Sequence, residues 1–246
     1  MFRRWHIVTT FGFSDNASTP IPLLLTSLLR YLGGGWTFDD LSENTAISQH
    51  VIRDFFHVFI DFGSTALYCL YVCSPLTTAD AEHNMQEYSM AGFPGAIGST
   101  DATQTIMKES VQYCYRQAHL GFKMTHTART YSITVNQHRR RILSATRGYH
   151  PARWNDKTLA LFDDLMQALH QGTILDDVPF ELYAYDSLGA VVKQKYRGAF
   201  WLLVDKGYLA HPTTVPPTKT TTSRAEIRFS DGWSRFVRMW SAHLAS

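Results

Sequence analysis

Apolar positions recur at helical spacing in the first third of the chain, and alternate or run unbroken in the rest. From Pro22 to about Phe62 the period is helical. Leu23, Leu24, Leu28, Leu29 and Leu32 are expected on one face, and Gly33, Gly34 and Gly35 follow as a stop. Thr37 predicts the N-cap of a second helix, with Asp39 and Asp40 in its first turn beside Leu41. A turn at Ala46, Ile47 and Ser48 leads to a third helix striped by Val51, Ile52, Phe55, Phe56, Phe59 and Ile60. Three short helices with a tight turn before the last predict a helix-turn-helix-like unit over 22–75, behind a polar lead-in over 1–21.

Beyond a loop through Pro75, strands and helices alternate. GAIGSTD (95–101) is the first strand candidate, and 128–136 alternates β-branched and aromatic residues. Residues 139–148 predict a strand hairpinned to it. Residues 155–172 predict one amphipathic helix with Leu159, Phe162, Leu165, Met166 and Leu169 inward, Asn155 at its start and Gly172 at its end. A hairpin around Ser187, Leu188 and Gly189 spans 180–196. FWLLVD (200–205) is a continuous apolar strand of the buried type, and 213–223 reads as a polar loop. This order predicts an α/β fold, a mixed sheet flanked by helices.

The 246 residues suffice for one large domain, or one domain with a helical appendage. A formal net charge of +2 permits a nucleic-acid partner without arguing for one, because local patches matter more than the sum. Cys69, Cys73 and Cys114 have no zinc spacing and read as reduced thiols of an intracellular protein. The opening MFRRWHIVTTFGF lacks the apolar core of a signal peptide. The run IPLLLTSLL falls short of the roughly 18 apolar residues of a spanning helix, so no membrane partner is expected. No HExxH pattern links His119, His126, His138 and His150, and Gly33 to Gly35 lack the Lys-Ser/Thr ending of a phosphate loop.

Two acids carry the candidate chemistry. Asp101 and Asp205 each close an apolar, strand-like run at a Gly-containing turn. Carboxylates at neighbouring strand ends can share divalent ions, and two such ions roughly 3.5–4 Å apart serve phosphodiester cleavage. The plainer reading is that each aspartate only forms its turn. Arg139, Arg140 and Arg141, with Lys123, Arg129 and Arg147, form the best basic cluster, either a DNA-backbone track or a solvated hairpin face. In the third helix Gln49, His50, Arg53 and His57 would face a DNA groove if the unit reads DNA; otherwise the three helices are a small bundle.

The blocks AGFPGAIGSTDAT, HLGFKMTHTARTYSITVN, RRRILSATRGYHPARWNDKT and KYRGAFWLLVDKGYLAHPTTVPPTKTTTSRAEIRFS resemble Harbinger-type DDE transposases, the plant-transposon and DDE-4 endonuclease sort. The likeness runs from about residue 23 to Ser230. It implies a ribonuclease-H-like nuclease domain over 90–230 and two Mg²⁺ or Mn²⁺ ions. It also implies cleavage and transfer of DNA at transposon ends in the nucleus, often with an accessory DNA-binding protein; the cytoplasm is the other expectation. By that mapping Asp101 and Asp205 are the first and second catalytic acids and metal ligands; the basic cluster and the third helix separately offer Arg53, Lys123, Arg129, Arg139 and Arg141 as DNA-contacting candidates.

The chain departs from the family at two places. Gln104 stands where members usually carry a histidine shortly after the first acid. The family's third acid, a glutamate, is expected just beyond EIRFS, but residues 231–246 read DGWSRFVRMWSAHLAS. Codons can be chosen for Trp233 to Ser246 that give ESIRKDVECTFGI from the third base, which resembles the missing segment, so a frameshift, a mis-joined exon or a decayed transposon copy is expected at the tail. Trp233, Phe236, Val237, Trp240 and Leu244 still have helical spacing, and Glu226 and Asp231 are the nearby substitutes. The expected function is therefore a metal-dependent DNA endonuclease without its third acid. The alternatives are an inactive DNA-binding relic and a non-functional fragment.

Overall fold

The computed structural model describes residues 19–75, 77–107, 113–120, 126–136, 141–151, 154–198, 200–205, 207–208 and 211–217. The chain divides into two compact units, Met1–Leu70 and Tyr71–Ser246. The lead-in before residue 19 and the tail after 217 lie outside the described residues.

In the first unit, α1 (Ile21–Gly34) starts after Pro20 and stops at Gly35, whose φ of 67° is left-handed. Its buried face is Leu24, Ser27 and Leu28, while Leu23, Leu29 and Leu32 are exposed. The five expected leucines span too wide an arc for one contact, so packing selects the sector between Ser27 and Leu28. Helix α2 (Phe38–Thr45) opens with a capping box. The Thr37 hydroxyl accepts from the Asp40 amide at 3.1 Å, and the Asp40 carboxylate accepts from the Thr37 amide at 2.8 Å. Ala46 turns the chain with φ 56°, and Ser48 caps α3 (Gln49–Phe62). Ile52 and Phe55 join Leu24, Leu28, Leu41 and Ile47 in a shared core, each large side chain contributing about 1.5–3 kcal/mol. Val51 and Ile60, expected in the stripe, are exposed. The chain stays helical where a loop was expected, through one π-helical turn (Gly63–Leu67) and α4 (Tyr68–Tyr71).

The second unit begins with α5 (Thr78–Met90), which the apolar pattern did not announce. Its buried residues are Ala81, Asn84, Met85 and Tyr88, helical in spacing but half of them polar-bearing. The Tyr88 hydroxyl lies 3.0 Å from Ser99 Oγ and donates to the Val135 carbonyl at 3.2 Å, tying the helix to the sheet. There follow β1 (Ala96–Ile106), α6 (Tyr113–His119), β2 (Ala128–Asn136), β3 (Arg141–Ala145), α7 (Asp156–Ala160), α8 (Asp164–His170), β4 (Pro179–Tyr185), β5 (Val191–Arg197), β6 (Trp201–Val204) and β7 (Thr214–Val215). Five strands form a mixed sheet in the order β3-β2-β1-β6-β7, flanked by helices. The first three pair antiparallel, and β1–β6 and β6–β7 pair parallel. The hairpin β4–β5 is a separate two-stranded sheet. Ile97, Leu143, Leu202 and Val204 pack with Leu165, Met166 and Leu169 of α8.

Two expectations change here. The single helix over 155–172 is broken into α7 and α8 at Asp163. That carboxylate accepts from the amides of Leu165 and Met166, both at 3.1 Å, and so starts a new helix. Phe162 is consequently exposed, with its ring against Trp154. Residues 214–215, inside the expected polar loop, form β7 because Thr213 and Thr214 are buried at the sheet edge.

Candidate metal centre

Strand pairing brings the two expected acids together. Thr100 of β1 is in register with Val204 of the parallel strand β6, so Asp101 and Asp205 are the next residues on neighbouring chains. Asp205 ends its strand as expected. Asp101 does not: β1 continues to Ile106, and Asp101 sits mid-strand opposite Ile133 of β2. The continuous ladder with β2 carries the strand past the acid. Both aspartates are half-buried. Asp101 Oδ1 accepts from the Ala102 amide at 2.8 Å, and Asp205 Oδ1 from the Gly207 amide at 2.7 Å. These amide contacts fix the carboxylates close to the backbone.

A further carboxylate, which the sequence reading did not single out, lies beside Asp205. Asp156 is the first residue of α7, whose N-cap Asn155 accepts from the Thr158 amide at 2.9 Å. A Cβ added to Gly207 would fall inside the Asp156 carboxylate and 2.9 Å from Asp205 Oδ1. The backbone at Gly207 therefore lies between two acids, with space only for glycine. Asp156 looks in the sequence like an ordinary first-turn acid, and no local signal distinguishes it.

Near these acids in the chain fold is Tyr208, 1% exposed. Its hydroxyl faces Ser132 but has no hydrogen bond of standard geometry. Burial raises its pKa well above the usual phenol value, and the charges of Asp156, Asp101 and Asp205 all push the same way. Ser132 instead donates to Asp163 at 3.0 Å. Burial raises the pKa of Asp163 above the usual carboxylate value, against the hydrogen bonds that lower it.

Mg²⁺ and Mn²⁺ take hard oxygen ligands, and Mg²⁺ commonly uses one or two protein carboxylates and completes its shell with water and phosphate oxygen. Asp101 and Asp205 fit that need. Among the described residues, no three His, Cys, Asp or Glu groups stand close enough together to hold an ion by themselves. Gln104 is on β1, in register with Thr130. Glu226 and Asp231 lie outside the described residues, as does the tail where the third acid was expected.

The basic candidates are scattered. Arg129 on β2 and Arg141 on β3 are exposed, while Lys123 and Arg139 lie outside the described residues. Arg53 is exposed on α3, with its guanidinium 5.4 Å from the Phe38 ring centre. On the same helix Gln49 donates to Asp39, and His50 pairs with Asp54 at 3.3 Å. Two histidine pairs also form, His119–His150 with ring centres 4.3 Å apart and His170–His211 at 5.7 Å. No protein-family model, curated protein or solved structure matches this chain.

Proposed function

We propose that the chain is a transposase-derived, divalent-metal-dependent DNA endonuclease of the DDE type. The observation that carries this reading is the placement of Asp101 and Asp205 immediately after the paired residues Thr100 and Val204 of two parallel, hydrogen-bonded strands. The strand order β3-β2-β1-β6-β7 is compatible with the ribonuclease-H-like fold that the sequence resemblance implies. Asp101 and Asp205 would hold Mg²⁺ or Mn²⁺, two ions in the intact family. When bound, the metal supplies charge stabilisation and an activated water for attack on the phosphodiester. The two backbone amides orient the carboxylates, and the buried Tyr208 hydroxyl remains protonated as a donor. DNA, specifically transposon ends, is the proposed substrate. Arg129, Arg141 and Arg53 are the described candidates for backbone contact, alongside Lys123 and Arg139. A separate DNA-binding protein would supply target recognition, in the nucleus.

A second reading is an inactive DNA-binding relic. Gln104 in the place of the family's histidine favours it, as does the lack of a closed three-group cluster among the described residues. Plasmid nicking separates the two. The enzyme reading expects Mg²⁺- or Mn²⁺-dependent nicking that falls by on the order of a thousandfold, several kcal/mol, in Asp101→Ala and Asp205→Ala. Salt-sensitive DNA binding with no nicking, indifferent to both substitutions, would instead support the relic.

A further inference from the structure

The hairpin β4–β5 lies apart from the five-stranded sheet, and nothing above gives it a role. Strand alternation sorts its side chains onto two faces. Phe180, Leu182 and Tyr196 turn inward: Phe180 is buried, the other two are half-buried against the same core, and the Phe180 and Tyr196 rings stack with centres 5.6 Å apart. This anchor fixes the register, because a slip of one residue would expose all three. The other face is set by the cross-strand partners Glu181 and Lys195, Tyr183 and Lys193, and Pro179 and Arg197, all exposed, with Val191 exposed toward the turn. On β5 a cation therefore recurs at every second residue. Glu181, the one acid among these residues, pairs with Lys193 at 3.3 Å, and the Lys193 ammonium lies 5.8 Å from the centre of the Tyr183 ring. Lys195 and Arg197 form no ion pair among the described residues.

Residues two apart on a strand are roughly 7 Å apart, and the phosphates of one DNA strand follow each other every ~3.4 Å along the duplex axis. A straight row of this pitch meets every second phosphate. We infer that the outer face of the β4–β5 hairpin is a nucleic-acid contact, with Lys193, Lys195 and Arg197 along the phosphodiester backbone of one strand and the Tyr183 ring beside them. Charge complementarity carries this assignment: three cations in line face one acid, and that acid is already engaged. The inference deepens the DNA reading above and rests on it for the identity of the polyanion. The surface is separate from Arg129 on β2 and Arg141 on β3, and the apolar anchor beneath it holds the row extended before any ligand arrives.

The test is fluorescence anisotropy of the full chain with a labelled DNA duplex in EDTA, between about 50 and 200 mM NaCl. Each phosphate contact adds about 0.9 to the slope of log affinity against log salt. Lys195→Gln/Arg197→Gln is expected to flatten that slope by about 1.8, so across the range the variant loses about 12-fold less affinity than the parent. Both residues are exposed, so its melting temperature is expected to match the parent's. Arg30→Gln/Arg116→Gln removes the same charge elsewhere and is expected to leave the slope unchanged. If the hairpin variant keeps the parent's slope, the face is not a contact and the inference fails, with DNA binding intact. Equal flattening by both double variants reduces the effect to net charge and also overturns it. Binding of poly-glutamate as tight as that of the duplex, and lost in the hairpin variant, would make the partner an acidic protein instead. If the parent binds no DNA at either salt, the DNA reading itself fails, and this inference with it.

Discussion

The helical unit and the sheet unit treat their polar side chains in opposite ways. In the helical unit, polar groups are matched within a few residues or between adjacent helices. Thr37 pairs with Asp40, Asn44 with the Asp40 carbonyl, Gln49 with Asp39, and His50 with Asp54. Even the arginines are engaged, Arg30 over Trp36 and Arg53 over Phe38. In the sheet unit, the carboxylates of Asp156 and Asp205, from distant segments, crowd the backbone of Gly207, and the buried Tyr208 hydroxyl has no hydrogen bond of standard geometry. Local matching makes stable structure, whereas carboxylates brought together from distant segments are where a ligand can be recognised. The contrast argues for chemistry in the sheet unit. It also weakens the groove-reading version of α3, whose outward groups are largely committed to their own neighbours.

The sharpest way to break this comparison is to damage one unit and look for function in the other. Phe55 is 1% exposed at the centre of the helical core. Phe55→Ala is expected to cost about 3–5 kcal/mol, enough to melt a small bundle. The helical signal in a far-ultraviolet circular dichroism melt should soften, while Mn²⁺ binding by the sheet unit persists. Loss of both together would show that the units fold as one and that the contrast is not a division of labour.

The same contrast explains what could be read from the residues. The helical unit was legible because its signals are local: Thr37 and Ser48 as caps, Gly35 as a stop, and a 3.6-residue apolar period. The strand over 128–136 and the hairpin around Ser187 to Gly189 were legible for the same reason. Helix α5 was not, because it buries Asn84 and Tyr88 through hydrogen bonds that no apolar period records. The break at Asp163 was hidden because the apolar period runs on past it, while its carboxylate caps α8 through the Leu165 and Met166 amides. Of the proposed site, the closeness of Asp101 and Asp205 was legible from the apolar runs that carry them. Asp156 was not, since its proximity to Asp205 depends on how α7 packs beside the end of β6.

A pair of glycine substitutions sharpens the comparison at smaller scale. Gly33, in α1, has open space where a Cβ would go. Gly33→Ala should stabilise the helical unit by up to about 1 kcal/mol through helix propensity. Gly207→Ala meets the Asp156 and Asp205 carboxylates instead. It should cost about 1–3 kcal/mol, as overpacking does, and weaken Mn²⁺ binding by displacing the Asp205 carboxylate. Thermal melts and a calorimetric MnCl₂ titration read both effects. A Gly207→Ala protein with parental stability and parental Mn²⁺ affinity would mean the acids are not crowded there.

The smallest expected effect concerns the buried acid beside the site, and its sign can be fixed in advance. Asp163 is buried, and desolvation outweighs its hydrogen bonds, so its folded pKa is raised above 3.8. The folded state then holds the proton more tightly than the unfolded chain does. Its contribution to stability is full below the unfolded value and is lost as pH rises through the folded one. Asp163→Asn keeps a side-chain oxygen to cap α8 but cannot ionise. Relative to the parent, the asparagine variant should therefore gain stability as pH rises from about 4 toward 7, with the two converging at the acid end. Every other carboxylate is common to both proteins, so the difference isolates this one group. Parallel melting-temperature curves across that range would mean Asp163 keeps its ordinary affinity for the proton. The hydrogen bonds from Ser132, Leu165 and Met166 would then balance burial, making Asp163 one more satisfied group, like those of the helical unit.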